Sequence, residues 1–323
     1  MPDNQSVLIV VEVKGGTPAP AAAELFTAAK AITADESIFA LVVGTGAREA
    51  AVAVGRLGAV KVFAAEVGQV SSDAVALTVM PLAANLNPKI ILLAETDLGR
   101  DLAPMLAARL STAAVTDVIA IRTEGGSRIF TRPVYGGNAL ADFTIDTEPQ
   151  VVSIRPKTFA PAPANDKHTV EILELPAAEP LTGVQILERV AVKETGPKIE
   201  EAKIVVGGGR GLGGPEGFAQ LQELAGLLDG VVGASRPPCD QGWWPESGQI
   251  GVTGKIIAPD LYIAVGISGS SQHLSGVSGA KTLVAINKDA EANIFKAAAY
   301  GVTGDWKKVV PALVAKVKEL TGR

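Results

Sequence analysis

Three glycine-rich segments in the C-terminal part of this chain carry the residue types and spacings that could do chemistry. The first, Lys203-Ile-Val-Val-Gly-Gly-Gly-Arg-Gly-Leu-Gly-Gly-Pro215, places Gly209, Gly211 and Gly214 in a GxGxxG spacing after an apolar run. Pro215 then opens a helical pattern with Phe218, Leu221, Ala225 and Leu228 on one face. A strand, a glycine turn and a helix start together can offer backbone N–H groups to a phosphate. A nicotinamide dinucleotide site would add a carboxylate at the end of the next strand, about 20 residues on. Here that strand ends in Gly233-Ala-Ser-Arg-Pro-Pro238, so Arg236 stands where an acid is needed. A cation there disfavours a nicotinamide-dependent dehydrogenase and favours an anionic or electron-rich ligand. The other segments, Gln249-Ile-Gly-Val-Thr-Gly-Lys255 and Ser268-Gly-Ser-Ser-Gln-His-Leu-Ser-Gly276, combine glycine with small hydroxyl or amide side chains that donate without bulk. Each segment alone also reads as an ordinary polar turn; three at successive strand ends form a pattern.

Of the two histidines, His168 lies in a Pro- and charge-rich stretch and reads as a solvated side chain, whereas His273 sits in the third glycine segment. No serine or cysteine comes with a recognisable base and orienting acid, and two dispersed histidines make no metal cluster. Trp243 and Trp244, beside Pro245, fit either a lid, a stacking platform or plain packing.

The elements that must hold these loops follow from the hydrophobic pattern. Residues 1 to about 122 alternate apolar β-branched runs with alanine-rich helical stretches: Val7–Val13 then Ala19–Thr33, Ile38–Val43 then Ala47–Leu57, Lys61–Ala65 then Asp73–Leu86. Runs apolar on both faces, separated by helices, indicate a parallel sheet covered on both sides. From Arg128 two β-like runs around Gly-Gly-Asn138 predict an antiparallel hairpin that finishes the first domain. Prolines from Pro149 to Pro197 and charges from Lys193 to Lys203 predict an extended connection. The chain is therefore expected to be α/β with two domains, 1–190 and 191–323, each an open, mostly parallel sheet with flanking helices. In the second domain Ala202–Val206, Gly230–Ala234, Leu261–Ile267 and Lys281–Ile286 are the expected parallel strands. The C-terminal segment puts Val310, Leu313, Val314, Val317 and Leu320 on one helical face, for packing on its own sheet.

Composition narrows the class. With 323 residues, 47% hydrophobic and 20% charged, the chain suits about two soluble domains, and its single cysteine, Cys239, rules out an intrachain disulfide. The net charge of −5 offers no cationic excess for nucleic acid, and no apolar run nears the ~20 residues of a membrane span. After Met1-Pro-Asp-Asn-Gln-Ser6 the chain enters an apolar run with no basic stretch or cleavage site, so no export signal is expected.

In order, Gly208-Gly-Arg-Gly-Leu212, Gly233-Ala-Ser-Arg-Pro237, Thr253-Gly-Lys255, Leu261-Tyr-Ile-Ala-Val-Gly-Ile-Ser268 running on to Gly276, and Val284-Ala-Ile-Asn-Lys-Asp289 resemble the electron transfer flavoprotein α-subunit family. The likeness is close over about 190–323. In the first domain Gly99-Arg-Asp-Leu-Ala-Pro104 and Tyr135-Gly-Gly-Asn-Ala139 extend it less specifically. The resemblance implies an FAD carrier, rather than an enzyme with its own substrate. Such a carrier takes electrons from flavin dehydrogenases such as acyl-CoA dehydrogenases in fatty acid β-oxidation and passes them to a membrane quinone oxidoreductase or similar acceptor. A β subunit, which commonly binds AMP, completes the heterodimer, with the first domain contacting it. A bacterial, cytoplasmic setting is expected rather than the mitochondrial matrix.

By the same resemblance the second domain holds the FAD. Arg210, with Gly211, and Asn287 would meet the adenosine and phosphates; Ser268, Gly269, Ser270, Ser271 and Gln272 the phosphate and ribityl region; Asp305 and Trp306 the adenine end. Arg236, Thr253 and His273 would surround the flavin ring system, and Ser235, Gln249, Ile250, Gly251, Val252 and Gly254 are further expected FAD-binding residues. Arg236, Thr253 and His273 would tune it: Arg236 as a permanent cation, Thr253 by a hydrogen bond near N5, and His273 by donating toward the N1/C2-carbonyl edge, more strongly when charged. Val252 departs from the family's usual glutamine. The alternative from another class is a nucleotide-binding partner subunit with no redox role.

Overall fold

The computed structural model describes residues 6–33, 37–68, 70–137, 139–176, 187–188 and 198–322. The chain divides into two compact units, residues 1–133 with 140–189 and residues 134–139 with 190–323. The boundary expected between 190 and 191 falls outside the described residues, as does Asn138 of the turn signal.

The first unit opens with β1 (Val7–Lys14), β2 (Thr17–Pro18), α1 (Ala21–Lys30), β3 (Ile38–Gly44), α2 (Ala47–Gly55), β4 (Lys61–Glu66) and α3 (Ser72–Leu86). It continues with β5 (Ile90–Ala94), α4 (Asp97–Arg109), β6 (Ala114–Val118), β7 (Ala120–Glu124), β8 (Ser127–Val134), β9 (Ala139–Phe143), β10 (Gln150–Ile154) and β11 (Glu171–Leu175). The main sheet runs β11-β4-β3-β1-β5-β10-β6 with every described neighbour pair on that path parallel. Strand period explains the unbroken apolar run of β1: Val7, Ile9 and Val11 enter the core under α1 and α2, while Leu8 and Val10 enter the core under α3 and α4. Serine and threonine start two of these helices, the Ser71 hydroxyl accepting from the Ala74 amide and Thr96 from the Gly99 amide. The hairpin after Arg128 forms as β8 and β9, with β7 as a third antiparallel strand. It does not finish the sheet. Gln150-Val-Val-Ser-Ile154, directly after Pro149, becomes β10 between β5 and β6, and all five residues are buried. Proline at a strand's threshold removes no ladder bond, so the Pro-rich stretch conceals a central strand.

The second unit has β12 (Ile204–Gly208), α5 (Gly217–Leu227), β13 (Val231–Ala234), α6 (Arg236–Asp240), β14 (Leu261–Val265), α7 (Ser271–Val277), β15 (Thr282–Asn287), α8 (Ile294–Ala297), β16 (Tyr300–Thr303) and α9 (Trp306–Thr321). Its sheet is parallel in the order β13-β12-β14-β15-β16. Val206, Ile263, Val265 and Ile286 pack under α5 and α9, with Phe218, Leu221, Trp306, Val310 and Val314. Val205, Tyr262, Ala264 and Ala285 fill the other face with Ile250, Val277 and Ile294. The C-terminal helix thus packs on its own sheet, although Leu320 is exposed and Pro311 stands at the sixth helical residue, past the first turn. The edge strand β16 has no apolar run to announce it; all four residues are exposed.

Candidate functional site

In the β13-β12-β14-β15-β16 order the chain reverses direction across the sheet between β12 and β14, and open α/β sheets bind ligands beyond the strand C-termini at such a switch point. A cavity of about 670 Å3 lies there, walled by the loops after β12, β13, β14 and β15. A second, of about 310 Å3, runs on toward the start of α9 and shares Gly211, Gly266, Asn287 and Lys288 with the first. Together they make one elongated trough within the second unit, in the size range of small-molecule sites.

The larger cavity brings together Arg210, Gly211, Ser235, Arg236, Ile250, Gly251, Val252, Thr253, Ser268, Ser270, Gln272, His273 and Asn287. Asp305 and Trp306 line the smaller one. Gln249, Gly254, Gly269 and Ser271 line neither. Gln249 donates its side-chain N–H to the Thr253 hydroxyl at 3.0 Å, which leaves the Thr253 O–H hydrogen free to point elsewhere. Lys288 was missed: it follows Asn287 at the end of β15 and supplies a cation where the two cavities join. Its signal in the sequence is its place two residues past the expected strand end at Ile286.

Several expectations need correction in detail. The GxGxxG turn does not hold out its amides. The Gly209 N–H donates to the Val265 carbonyl and the Gly211 N–H to the Gly266 carbonyl, both at 2.9 Å. A β-carbon on Gly209 would lie 2.2 Å from the Gly266 oxygen, so that glycine serves the approach of one turn to another. A short 3-10 turn, Arg210–Leu212, intervenes, and the helix starts at Gly217 rather than at Pro215. Trp243 and Trp244 are neither lid nor platform: Trp244 stacks on Phe218 with centroids 4.8 Å apart, and both tryptophans pack against the core under α5 and α9.

His273 needs the largest revision. The ring is buried, with Nε2 2.9 Å from the Tyr262 hydroxyl and Nδ1 3.2 Å from the Ile250 carbonyl. Burial drives its pKa down to about 4, with the Ile250 carbonyl opposing the shift. Both ring nitrogens are therefore engaged by the chain itself, and the charged donor expected of His273 is not what this packing provides. The cations of the wall are Arg210, Arg236 and Lys288. Arg236 opens α6 and shares its charge with Asp240, Nε to Oδ2 at 3.2 Å, both side chains mostly exposed. Cys239, one turn away, is buried; desolvation, with Asp240 and Glu246 adding to it, pushes its thiol up to about 11, so it stays protonated.

At the far end the Asp305 carboxylate accepts from the Lys307 amide at 3.0 Å and starts α9, while Trp306 is buried beside Phe218. Asn287 donates to the Ile267 carbonyl at 2.9 Å and accepts from the Asp289 amide at 3.0 Å, tying the loop after β14 to the loop after β15. The donor set of four cations, Arg210, Arg236, Lys288 and Lys307, with small hydroxyls and an aromatic end, spread over the two adjoining cavities, has the chemistry of an extended dinucleotide with a negatively charged middle.

Comparison with known proteins decides the family. The electron transfer flavoprotein domain matches residues 7–180, and the electron transfer flavoprotein FAD-binding domain matches residues 198–278. The chain belongs to the electron transfer flavoprotein family. Among its relatives, the electron transfer flavoprotein subunit alpha of Bacillus subtilis is 38% identical over 98% of this chain and 98% of its own. The subunit alpha of Thermoanaerobacterium thermosaccharolyticum is 42% identical over 77% of each chain, and that of Mycobacterium leprae 37% over 98% of this chain and 99% of its own. The electron transfer flavoprotein FAD-binding domain begins just before β12 and ends after α7, so it contains the switch point and most of the trough.

Proposed function

We propose that this chain is the FAD-holding α subunit of an electron transfer flavoprotein heterodimer, carrying electrons from flavin dehydrogenases such as acyl-CoA dehydrogenases to a quinone oxidoreductase or similar acceptor. The observation that carries the reading is the pair of adjoining cavities, the larger one walled mostly by residues of the span matched by the FAD-binding domain, with Arg236 and Thr253 on its wall and Asp305 and Trp306 on the wall of the smaller one. FAD, when bound, supplies the redox chemistry; the protein supplies binding, orientation and electrostatics. Arg236 gives a permanent positive charge at the ring end, Thr253 a hydroxyl whose hydrogen Gln249 leaves free, and Lys288 with Arg210 the charge for the diphosphate. Asp305, whose carboxylate caps α9, and Trp306 bound the adenine end. A β subunit carrying AMP completes the assembly, the first unit contacts it, and the site of action is the bacterial cytoplasm. No described helix is long and apolar enough to cross a membrane.

The test is the visible absorption spectrum of this chain co-purified with its β subunit, followed by stepwise anaerobic reduction. Two flavin bands that bleach reversibly with an acyl-CoA dehydrogenase and its substrate are expected. A flavin-free heterodimer that also rejects added FAD overturns the reading in favour of a non-redox nucleotide-binding subunit.

A further inference from the structure

The mechanism above leaves one wholly buried polar side chain of the sheet unused. Tyr262, the second residue of the site's central strand β14, has no exposed surface, and its hydroxyl meets His273 Nε2 at 2.9 Å. Room for that hydroxyl comes from the neighbouring strand: a β-carbon on Gly207 of β12 would lie 2.0 Å from it. On the other side of the ring, Nδ1 meets the Ile250 carbonyl at 3.2 Å. A carbonyl only accepts, so Nδ1 carries a proton, and a hydroxyl opposite a neutral ring's bare nitrogen donates to it.

We propose that Tyr262 is a positioning residue that holds His273 as the neutral Nδ1–H tautomer, so that the imidazole meets the cavity with no free N–H and no charge. Tyr262 O–H donates to Nε2, and Nδ1–H donates to the Ile250 carbonyl, which fixes the ring from both ends. The pair also keeps buried polar atoms satisfied: removing the hydroxyl strands an acceptor in the core. The titratable or charged groups around His273 are Arg210, Arg236, Lys288 and Asp289 on the cavity wall. Lys255 lies beyond Ile250, paired with Glu200, and Tyr135 belongs to the segment whose Gly136 carbonyl accepts from Ser275 of α7. The field at the ring end then comes from cations such as Arg236, with His273 as a shaped neutral wall. That consequence for a flavin rests on the carrier reading; the ring state itself does not.

The chain has only two histidines, which makes the ring state directly readable by nitrogen NMR of the ring-15N-histidine heterodimer, with signals assigned by their loss in His168→Gln and His273→Gln. His168 is an internal contrast, since its Nε2 lies 2.8 Å from the Ala59 carbonyl and must carry the proton when neutral. His273 is expected to show a protonated Nδ1 and a bare Nε2 from pH 8 to pH 5. Tyr262→Phe keeps the ring and removes the donor that favours the neutral form, so the His273 titration is expected to rise by about one unit, while the neutral ring keeps its proton on Nδ1 opposite the Ile250 carbonyl. With FAD bound, the midpoint potential of Tyr262→Phe should vary more steeply with pH below 6 than that of the unaltered protein. A doubly protonated His273 at pH 7, or an Nε2–H tautomer, overturns the proposal from the unaltered protein alone, whether or not the variant folds. A folded variant with an unmoved titration also overturns it. A protein that binds no FAD yet shows Nδ1–H with the expected variant response supports this proposal and sinks only the carrier reading.

Discussion

Arg236 and His273 fall into one cavity wall with opposite electrical characters. Arg236 is mostly exposed and half-neutralised by Asp240, yet a guanidinium keeps its charge at any working pH. Arg236→Ala is expected to lower the flavin midpoint by about 40–90 mV, equivalent to about 1–2 kcal/mol for one electron near a partly solvated cation. Spectroelectrochemistry at full FAD occupancy checks this, and an unchanged potential removes Arg236 from the tuning. For His273 the sign runs through the unfolded chain. Its pKa is depressed from 6.5 to about 4 on folding, so between those values the unfolded state binds the extra proton. Stability from this group is complete above pH 6.5 and lost as pH falls toward 4, a change on the order of 3 kcal/mol. Denaturation followed by fluorescence should show it, because Trp243, Trp244 and Trp306 all belong to the second unit, and His273→Gln should flatten the slope. The three glycine loops, Arg236 and His273 were legible from their place at strand ends, and the resemblance to the family supplied the other candidate residues. The state of His273 was not, since Tyr262 reads in the sequence as one more apolar strand residue.

At the level of elements, the glycine turn after β12 and the turn after β14 are fitted to one another. Gly209→Ala pushes a methyl group against the Gly266 backbone oxygen and is expected to cost about 2–3 kcal/mol and to reduce FAD retention. Chemical denaturation and the flavin-to-protein ratio measure the two effects; a stable variant with full flavin content would show that the turns can separate. On the opposite side of the sheet Trp244 stacks on Phe218 and completes the core with α5 and α9. Trp244→Ala is expected to cost about 3 kcal/mol or more while leaving the flavin absorption bands unshifted, since the ring lines neither cavity. A shifted spectrum would return the tryptophans to the site. The apolar runs mark β12, β13, β14 and β15, whereas β10, β11 and β16 carry no such mark. A run of five behind Pro149 looks like linker, and a four-residue exposed edge strand has no hydrophobic signature.

On the scale of the whole molecule, two parallel sheets with different strand orders carry different loads. The first unit spends its strand ends on internal bonds: the Glu66 carboxylate accepts from the Gly46 and Arg48 amides at the start of α2, and Glu12 accepts from Thr96. Burial, ahead of the other influences, raises the Glu12 pKa. In the second unit the strand ends open into the trough at the switch point. The α/β class, the presence of two domains, the family and most of the residues lining the cavities were already legible in the order of the residues, because periodicity, composition and linear motifs are properties of neighbours along the chain. Which polar groups are left over for a ligand depends on packing between distant segments. The amides of Gly209 and Gly211, the ring nitrogens of His273 and the side chain of Asn287 find their partners on strands and loops distant in sequence, and a hydrogen bond satisfied across the sheet leaves no trace in the order of the residues.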